Sequence, residues 1–125
     1  MQDEPRPDEL TRAVADFLRN DIAPLISGHN AFKLRVAINA LDLVTRQLTL
    51  EQGGDAAESA RLAALLGREG SLLELNRILS ERIGRGELDR KTPGLSEHLW
   101  QTTMDKLAVD QPNYGSYKRE LERKG

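Results

Sequence analysis

Residues 31–50 read AFKLRVAINALDLVTRQLTL, and this stretch decides the predicted fold. At about 100° per residue, its apolar side chains occupy most of a helical wheel, while the polar side chains fall together on one narrow stripe. The polar stripe consists of Arg35, Asn39, Asp42 and Arg46. A helix that is apolar on nearly all sides is typical of the middle of a bundle. The sequence therefore predicts a central helix over about residues 30–50.

Turn-forming residues divide the N-terminal half of the chain into helices. Asp8 can cap a first helix, which Pro24 limits. Asn30 is the predicted cap of the central helix. Gly53 and Gly54 predict a turn after it, followed by a third helix that ends at Gly67.

Two further helices are predicted in the C-terminal half. Ser71 and Glu74 have the spacing of a capping box, which predicts the start of a fourth helix. A fifth helix begins at Pro93 or Ser96 and ends before Pro112. No strand-like alternation of useful length is present.

The chain has 125 residues, which suits one domain. We therefore expect an all-α fold, a compact bundle of about five helices, in a single helical domain over residues 1–125. Residues 1–7 are expected to form a loose lead-in, and residues 113–125 a docked or frayed C-terminal segment. Trp100 is expected to anchor the core.

Composition excludes several classes of function. The net charge is only -2, from 18 basic and 20 acidic residues, which disfavours nucleic acid and anionic membranes as partners. Cysteine is absent, so the chain has neither disulfides nor a thiolate nucleophile, and the cytoplasm is the expected location. No apolar run is long enough to cross a membrane, and the first residues do not resemble a signal peptide.

The motifs of catalysis and metal binding are missing. No glycine-rich phosphate loop and no nucleophile elbow occurs. The two histidines, His29 and His98, lack the spacing that places two metal ligands on one helical face. We therefore expect no catalytic residue, no metal and no cofactor, and the sequence favours a protein that is not an enzyme.

The polar stripe provides the candidate ligand-binding residues Arg35, Asn39 and Asp42, to which the first helix adds Asp21. In one interpretation, they line a pocket for an anionic or amide-bearing ligand that the Arg35 guanidinium holds. The floor of that pocket would be Phe32, Val36 and Leu43. In the other interpretation, which we favour, the polar residues form either an internal ion-pair and hydrogen-bond network or a solvated seam, and fix the helix register.

Two tyrosines near the C-terminus, Tyr114 and Tyr117, are the candidate partner-binding residues. An aromatic ring with a polar tip suits either a docked tail or a recognition surface. Docking of the tail is the simpler interpretation.

Three segments together resemble a family of small bacterial helical domains of unknown function: residues 9–18, 31–40 and 103–114. The resemblance covers nearly the whole chain. Members of that family are encoded beside, or carry the names of, aminoglycoside-phosphotransferase-like kinases and acyl-CoA dehydrogenases. The family has no assigned catalytic residues, so the resemblance implies only a context in acyl-CoA or phosphorylated hydroxyacyl metabolism and a supporting role.

We therefore expect a non-catalytic accessory protein that contacts a phosphotransferase-like or acyl-CoA dehydrogenase-like partner, or a second copy of itself. This role predicts an exposed apolar or aromatic surface. The alternative function is a helical bundle that binds a small anionic ligand, or is weakly enzymatic, with its pocket around Arg35.

Overall fold

The computed structural model describes residues 4–124, and these contain five α-helices and no strand. The helices are α1 (Pro7–Phe17), α2 (His29–Leu66), α3 (Leu72–Gly84), α4 (Leu95–Asp110) and α5 (Gly115–Lys124). The all-α class predicted from sequence is confirmed. The first three residues of the expected lead-in, and Gly125 of the expected C-terminal segment, lie outside the described residues.

The first helix begins at a proline and passes into two irregular helical turns. α1 starts at Pro7, one residue before the expected cap Asp8, because a proline in the first turn leaves no helical hydrogen bond unmade. After Phe17 the chain continues as a π-helical turn, Leu18–Ile22, and a 3-10 turn, Ala23–Leu25. α1 thus ends seven residues before Pro24, which was expected to limit the helix and lies within the 3-10 turn.

The 38-residue helix α2 runs through Gly53 and Gly54, so the turn predicted at these glycines is wrong. The helix also begins at His29, one residue before its expected cap. Glycine weakens a helix by about 1 kcal/mol relative to alanine, but it keeps its backbone N–H and does not force a break. The segment after the glycines adds Leu62 and Leu66 to a hydrophobic core. One helix therefore occupies the region predicted for two.

Local signals in the second half of the chain are confirmed. Gly67 ends α2 with a φ of 69°, a left-handed conformation that glycine adopts at low cost. The Ser71 side chain accepts a hydrogen bond of 3.1 Å from the backbone N–H of Glu74, as the capping pattern predicts. α4 ends at Asp110, before Pro112.

The chain divides into two compact units, Met1–Glu51 and Gln52–Gly125. The larger hydrophobic core lies in the second unit, where the end of α2 packs with α3 and the start of α4. Its buried members are Leu62, Leu66, Leu75, Ile78, Leu79 and Leu95. The single domain expected over residues 1–125 stays a prediction.

In the first unit, the face that α2 buries is narrow. Among residues 31–50, only Ile38 and Thr45 are buried, whereas Phe32 is 57% exposed and Val36 is 52% exposed. The expectation that this stretch is surrounded on nearly all sides is therefore wrong. The 11-residue helix α1 packs against one face of α2 and leaves the apolar residues of the other faces exposed.

Trp100, the expected core anchor, is 48% exposed, and this expectation is wrong as well. α4 instead buries Leu95, His98 and Met104. None of the described helices is long and apolar enough to cross a membrane.

Candidate functional site

The structure does not bring all the candidate ligand-binding residues together. Arg35, Asn39 and Asp21 are exposed, and within residues 4–124 no hydrogen bond or ion pair joins them to another side chain. Asp42 is partly buried and accepts a hydrogen bond of 2.5 Å from Nη2 of Arg19, a residue that sequence reasoning had not selected. A ligand-binding role for the stripe stays a prediction.

The three residues of the expected pocket floor are exposed. Phe32, Val36 and Leu43 lie on the surface of the first unit.

A polar seam does connect α1 with α2, but through hydroxyl groups. The Thr11 and Thr45 hydroxyls are 2.6 Å apart. Thr49 Oγ1 donates to the Thr45 carbonyl at 2.7 Å and lies 3.4 Å from a carboxylate oxygen of Asp8. Asp8 lies opposite Thr49 and Thr11 lies opposite Thr45, so the residue numbers of the two helices run in opposite directions. α1 and α2 are therefore antiparallel. Thr45 lies within a mostly apolar stretch, and nothing in the sequence pattern distinguishes its buried hydroxyl from an exposed one.

Two apolar surfaces remain exposed in the first unit. On α1, Leu10, Val14 and Phe17 are each about half exposed, and their spacing of four and three residues places them on one face, called here the α1 strip. On α2, the residues Phe32, Val36, Asn39 and Leu43 have the same kind of spacing, and this surface is called the α2 stripe. Exposed apolar surfaces of this kind are typical of protein interaction sites.

The second unit contains a polar cluster around His98, which is only 3% exposed. Nε of Arg61 on α2 donates to Nδ1 of His98 on α4 at 3.2 Å. Nη2 of Arg61 donates to Thr102 Oγ1 at 3.4 Å and lies 3.7 Å from Oδ2 of Asp105. Arg61 therefore links three residues of one face of α4.

The electrostatics of this cluster keep His98 neutral. Burial lowers the pKa of His98, and the positive charge of Arg61 lowers it further, while the Glu58 carboxylate acts in the opposite direction. A guanidinium can only donate, so Nδ1 must be the acceptor and the ring proton of the neutral imidazole lies on Nε2. The lone pair that a general base needs is thus engaged by Arg61.

Sequence reasoning missed this cluster. His98, Thr102 and Asp105 follow one another at helical spacing, which is a visible signal. Their shared partner Arg61 is distant in sequence, however, and a long-range contact of this kind leaves no local pattern.

The candidate partner-binding tyrosines differ in burial. Tyr114 is exposed, directly before α5, whereas Tyr117 in the first turn of α5 is half-buried. Within the expected C-terminal segment, the chain is helical from Gly115 to Lys124. A role of either tyrosine in partner binding stays a prediction.

A shallow groove of about 670 Å³ lies in the second unit, at the end of α2 and the turn that follows. Its lining is dominated by small residues: Ser59, Ala60, Ala63, Ala64, Gly67 and Gly70, beside Arg68 and Glu69. Arg68 is already paired with Glu74 at 3.1 Å.

Within the part of the chain that the structure describes, no group of three histidine or carboxylate side chains is arranged to hold a metal ion.

Comparison with known proteins agrees with an uncharacterised family. A sequence model described as a domain of unknown function (DUF6285) matches residues 24–114, which is more than half of the chain. The match includes all of α2, α3 and α4. No curated protein and no solved structure matches the chain.

Proposed function

This chain belongs to the DUF6285 family of domains of unknown function, and we propose that it is a helical interaction protein that acts by binding a partner protein, without turnover of its own. The α1 strip is the observation that supports this proposal. Leu10, Val14 and Phe17 form one apolar face, yet about half of each side chain is exposed.

The rest of α1 shows why this exposure points to binding. The inner face of the helix is already packed, because Ala15 is fully buried and Thr11 is bonded to α2. The α1 strip is therefore a second apolar face, beyond the one that stabilises the first unit. Covering each of its side chains would remove apolar area worth roughly 1 kcal/mol from water, which favours association with a partner.

The chemistry of the polar cluster supports a role in binding over one in catalysis. Among residues 4–124 the most buried titratable side chain is His98, and its Nδ1 lone pair accepts the hydrogen bond from Arg61. A histidine held in this way stabilises the packing of two helices and does not act as a general base.

We propose a phosphotransferase-like kinase or an acyl-CoA dehydrogenase as the partner, on the resemblance set out above. The same resemblance supports a bacterial origin, which we propose as well. A cytoplasmic location is proposed because a chain without cysteine suits a reducing compartment.

The test is direct binding between the purified chain and the phosphotransferase-like and acyl-CoA dehydrogenase-like proteins of its source, measured by calorimetry. Val14→Glu places a charge on the α1 strip and is expected to abolish binding. Leu73→Glu is the matched control, because Leu73 is a strongly exposed leucine on α3. Equal binding by the parent chain and Val14→Glu would show that the α1 strip is not the binding surface. Absence of binding to both the phosphotransferase-like and the acyl-CoA dehydrogenase-like protein would refute the proposed partners.

The alternative, an anionic-ligand site around Arg35, has no comparable support. Arg35 and Asn39 are exposed, and the described groove lies in the other unit. Arg35→Met provides its test, since loss of ligand binding with an unchanged fold would favour the alternative.

A further inference from the structure

The α2 stripe has the spacing of a helix that packs against another helix. Phe32, Val36, Asn39 and Leu43 are separated by four, three and four residues. Apolar residues that alternate between these two spacings stay on one side of a helix and form the contact line of a two-helix pair. All four side chains are exposed.

The α2 stripe lies away from the face that α1 covers. Ile38, which is buried, follows Val36 by two residues and so points about 200° around the helix from it. The hydrogen bonds that join α1 and the π-helical turn after it to α2 involve Asp42, Thr45 and Thr49, none of which belongs to the stripe. The described part of the first unit, residues 4–51, therefore leaves this contact line exposed.

The charges beside the α2 stripe identify what covers it. Arg35 and Asp42 lie on the same edge of the stripe, seven residues and two helical turns apart. We propose that the α2 stripe binds a second copy of this chain in an antiparallel arrangement, in which Arg35 of each copy faces the partner's Asp42. The same alignment places Val36 against the partner's Asn39 and Phe32 against the partner's Leu43.

The same charges disfavour the other alignments. Sliding the antiparallel pair by one heptad would place Asp42 against the partner's Asp42, which is repulsive. In a parallel pair, the edge residues Arg35 and Asp42 would face the partner's Ala40 and the partner's Gln47, so no ion pair would form. A two-fold antiparallel pair uses one surface twice and forms the ion pair twice.

Asp42 and Asn39 are both compatible with this arrangement. The Asp42 carboxylate already accepts a hydrogen bond from Arg19 and retains acceptor capacity for a second guanidinium. Asn39 weakens the contact but favours one register, as a single polar residue in a helix pair does. This proposal uses a different face from the α1 strip, so it can be tested independently of the proposed partner protein.

Sedimentation equilibrium over a wide concentration range tests the self-association. We expect a reversible dimer, and Val36→Glu, which introduces two charges into the interface, should raise its dissociation constant at least about tenfold. The matched control Leu73→Glu should leave the dimer unchanged, and circular dichroism should show that both variants fold. A chain that is monomeric at every concentration, or a dimer that Val36→Glu leaves intact, would overturn the proposal.

Disulfide cross-linking tests the alignment, and the absence of native cysteine makes it unambiguous. A mixture of the single variants Val36→Cys and Asn39→Cys should form the mixed disulfide faster than either variant links to itself. Fastest linking of Asn39→Cys to itself would indicate a parallel pair and overturn the antiparallel arrangement. Val14→Glu should dimerise normally, which separates this result from a failure to bind the proposed partner.

Discussion

Arg61 donates a hydrogen bond from Nε to Nδ1 of His98 across 3.2 Å, so a permanently charged group faces a buried imidazole. Burial of His98 disfavours the imidazolium ion, and the positive charge of Arg61 disfavours it further. Both effects lower the pKa of His98 below the ordinary value of 6.5. The folded protein therefore holds His98 neutral at a pH where the unfolded chain begins to protonate it.

The low pKa of His98 predicts that the protein loses stability on mild acidification. As the pH falls below about 6.5, the unfolded chain binds a proton at His98 that the folded chain does not, so the free energy of unfolding decreases. Above that pH, the contribution of His98 is constant and fully present. Urea denaturation at a series of pH values between about 8 and 5 measures this slope.

Two variants test whether His98 causes this pH dependence of the free energy of unfolding. In His98→Asn, the side-chain oxygen can accept from Arg61 in place of Nδ1 but does not titrate, so the loss of stability in this pH range should become smaller. His29→Gln removes the only other imidazole, which lies at an exposed position, and should retain the parental slope. A slope that persists in His98→Asn would show that other groups cause it.

The glycine pair inside α2 predicts an increase in stability on substitution. Gly53 and Gly54 have no positive φ, and a Cβ built on either of them meets no atom within 4 Å. Gly53→Ala and Gly54→Ala should each stabilise the protein by about 1 kcal/mol, which raises the melting temperature by roughly 3 to 5 °C.

Gly67 is the matched control for these substitutions. Its φ of 69° is strained for any residue with a Cβ, so Gly67→Ala should lower the melting temperature. Destabilisation by Gly53→Ala and Gly54→Ala would instead agree with a turn at these glycines.

Those elements that the sequence predicted correctly depend on local chemistry. The Ser71 side chain meets the backbone N–H of Glu74 within a single turn, and Gly67 ends α2 through its own backbone conformation. Such features need no knowledge of distant residues. The same reasoning failed at Gly53 and Gly54, because glycine is compatible with both a turn and a helix, and the neighbouring residues decide between them.

Burial was the harder property to predict, because it depends on which elements pack together. An apolar wheel over residues 31–50 indicates that the helix can be covered on most sides, but not that other helices cover it. Val36 is exposed for this reason, and Trp100 as well. The link between Arg61 and His98 is equally non-local, so the candidate site chosen from one helix could not include it.

The hydrogen bond that caps α3 predicts how much stability is lost when the Ser71 hydroxyl is removed. Ser71→Ala removes the hydrogen bond of 3.1 Å to the backbone N–H of Glu74 and should destabilise the protein by about 1 kcal/mol. Ser71→Asp should retain most of the stability, because aspartate is also a good N-cap and its charge suits the start of a helix. Thermal denaturation of both variants measures the difference, and equal melting temperatures would exclude a capping role.

The Thr45 hydroxyl predicts a coupling between α1 and α2. It is 7% exposed, lies 2.6 Å from the Thr11 hydroxyl and donates to the Leu41 carbonyl at 3.0 Å. Thr45→Val retains the shape of the side chain but removes the hydroxyl that Thr11 contacts on α2, and Thr11 keeps only its bond of 3.2 Å to the Asp8 carbonyl. The substitution should therefore destabilise the protein by about 1 kcal/mol.

A double-mutant cycle and an exposed threonine separate this coupling from the general effect of removing a hydroxyl. Once Thr45 is valine, Thr11→Val should cost less than it does in the parent chain, because the bond that the two hydroxyls share is already lost. Thr103 makes the same kind of bond to the carbonyl four residues earlier, at 2.9 Å, but is exposed, so Thr103→Val should change stability by less than about 0.5 kcal/mol. Strictly additive effects of the Thr11 and Thr45 substitutions would show that the hydroxyls do not stabilise the packing of α1 on α2.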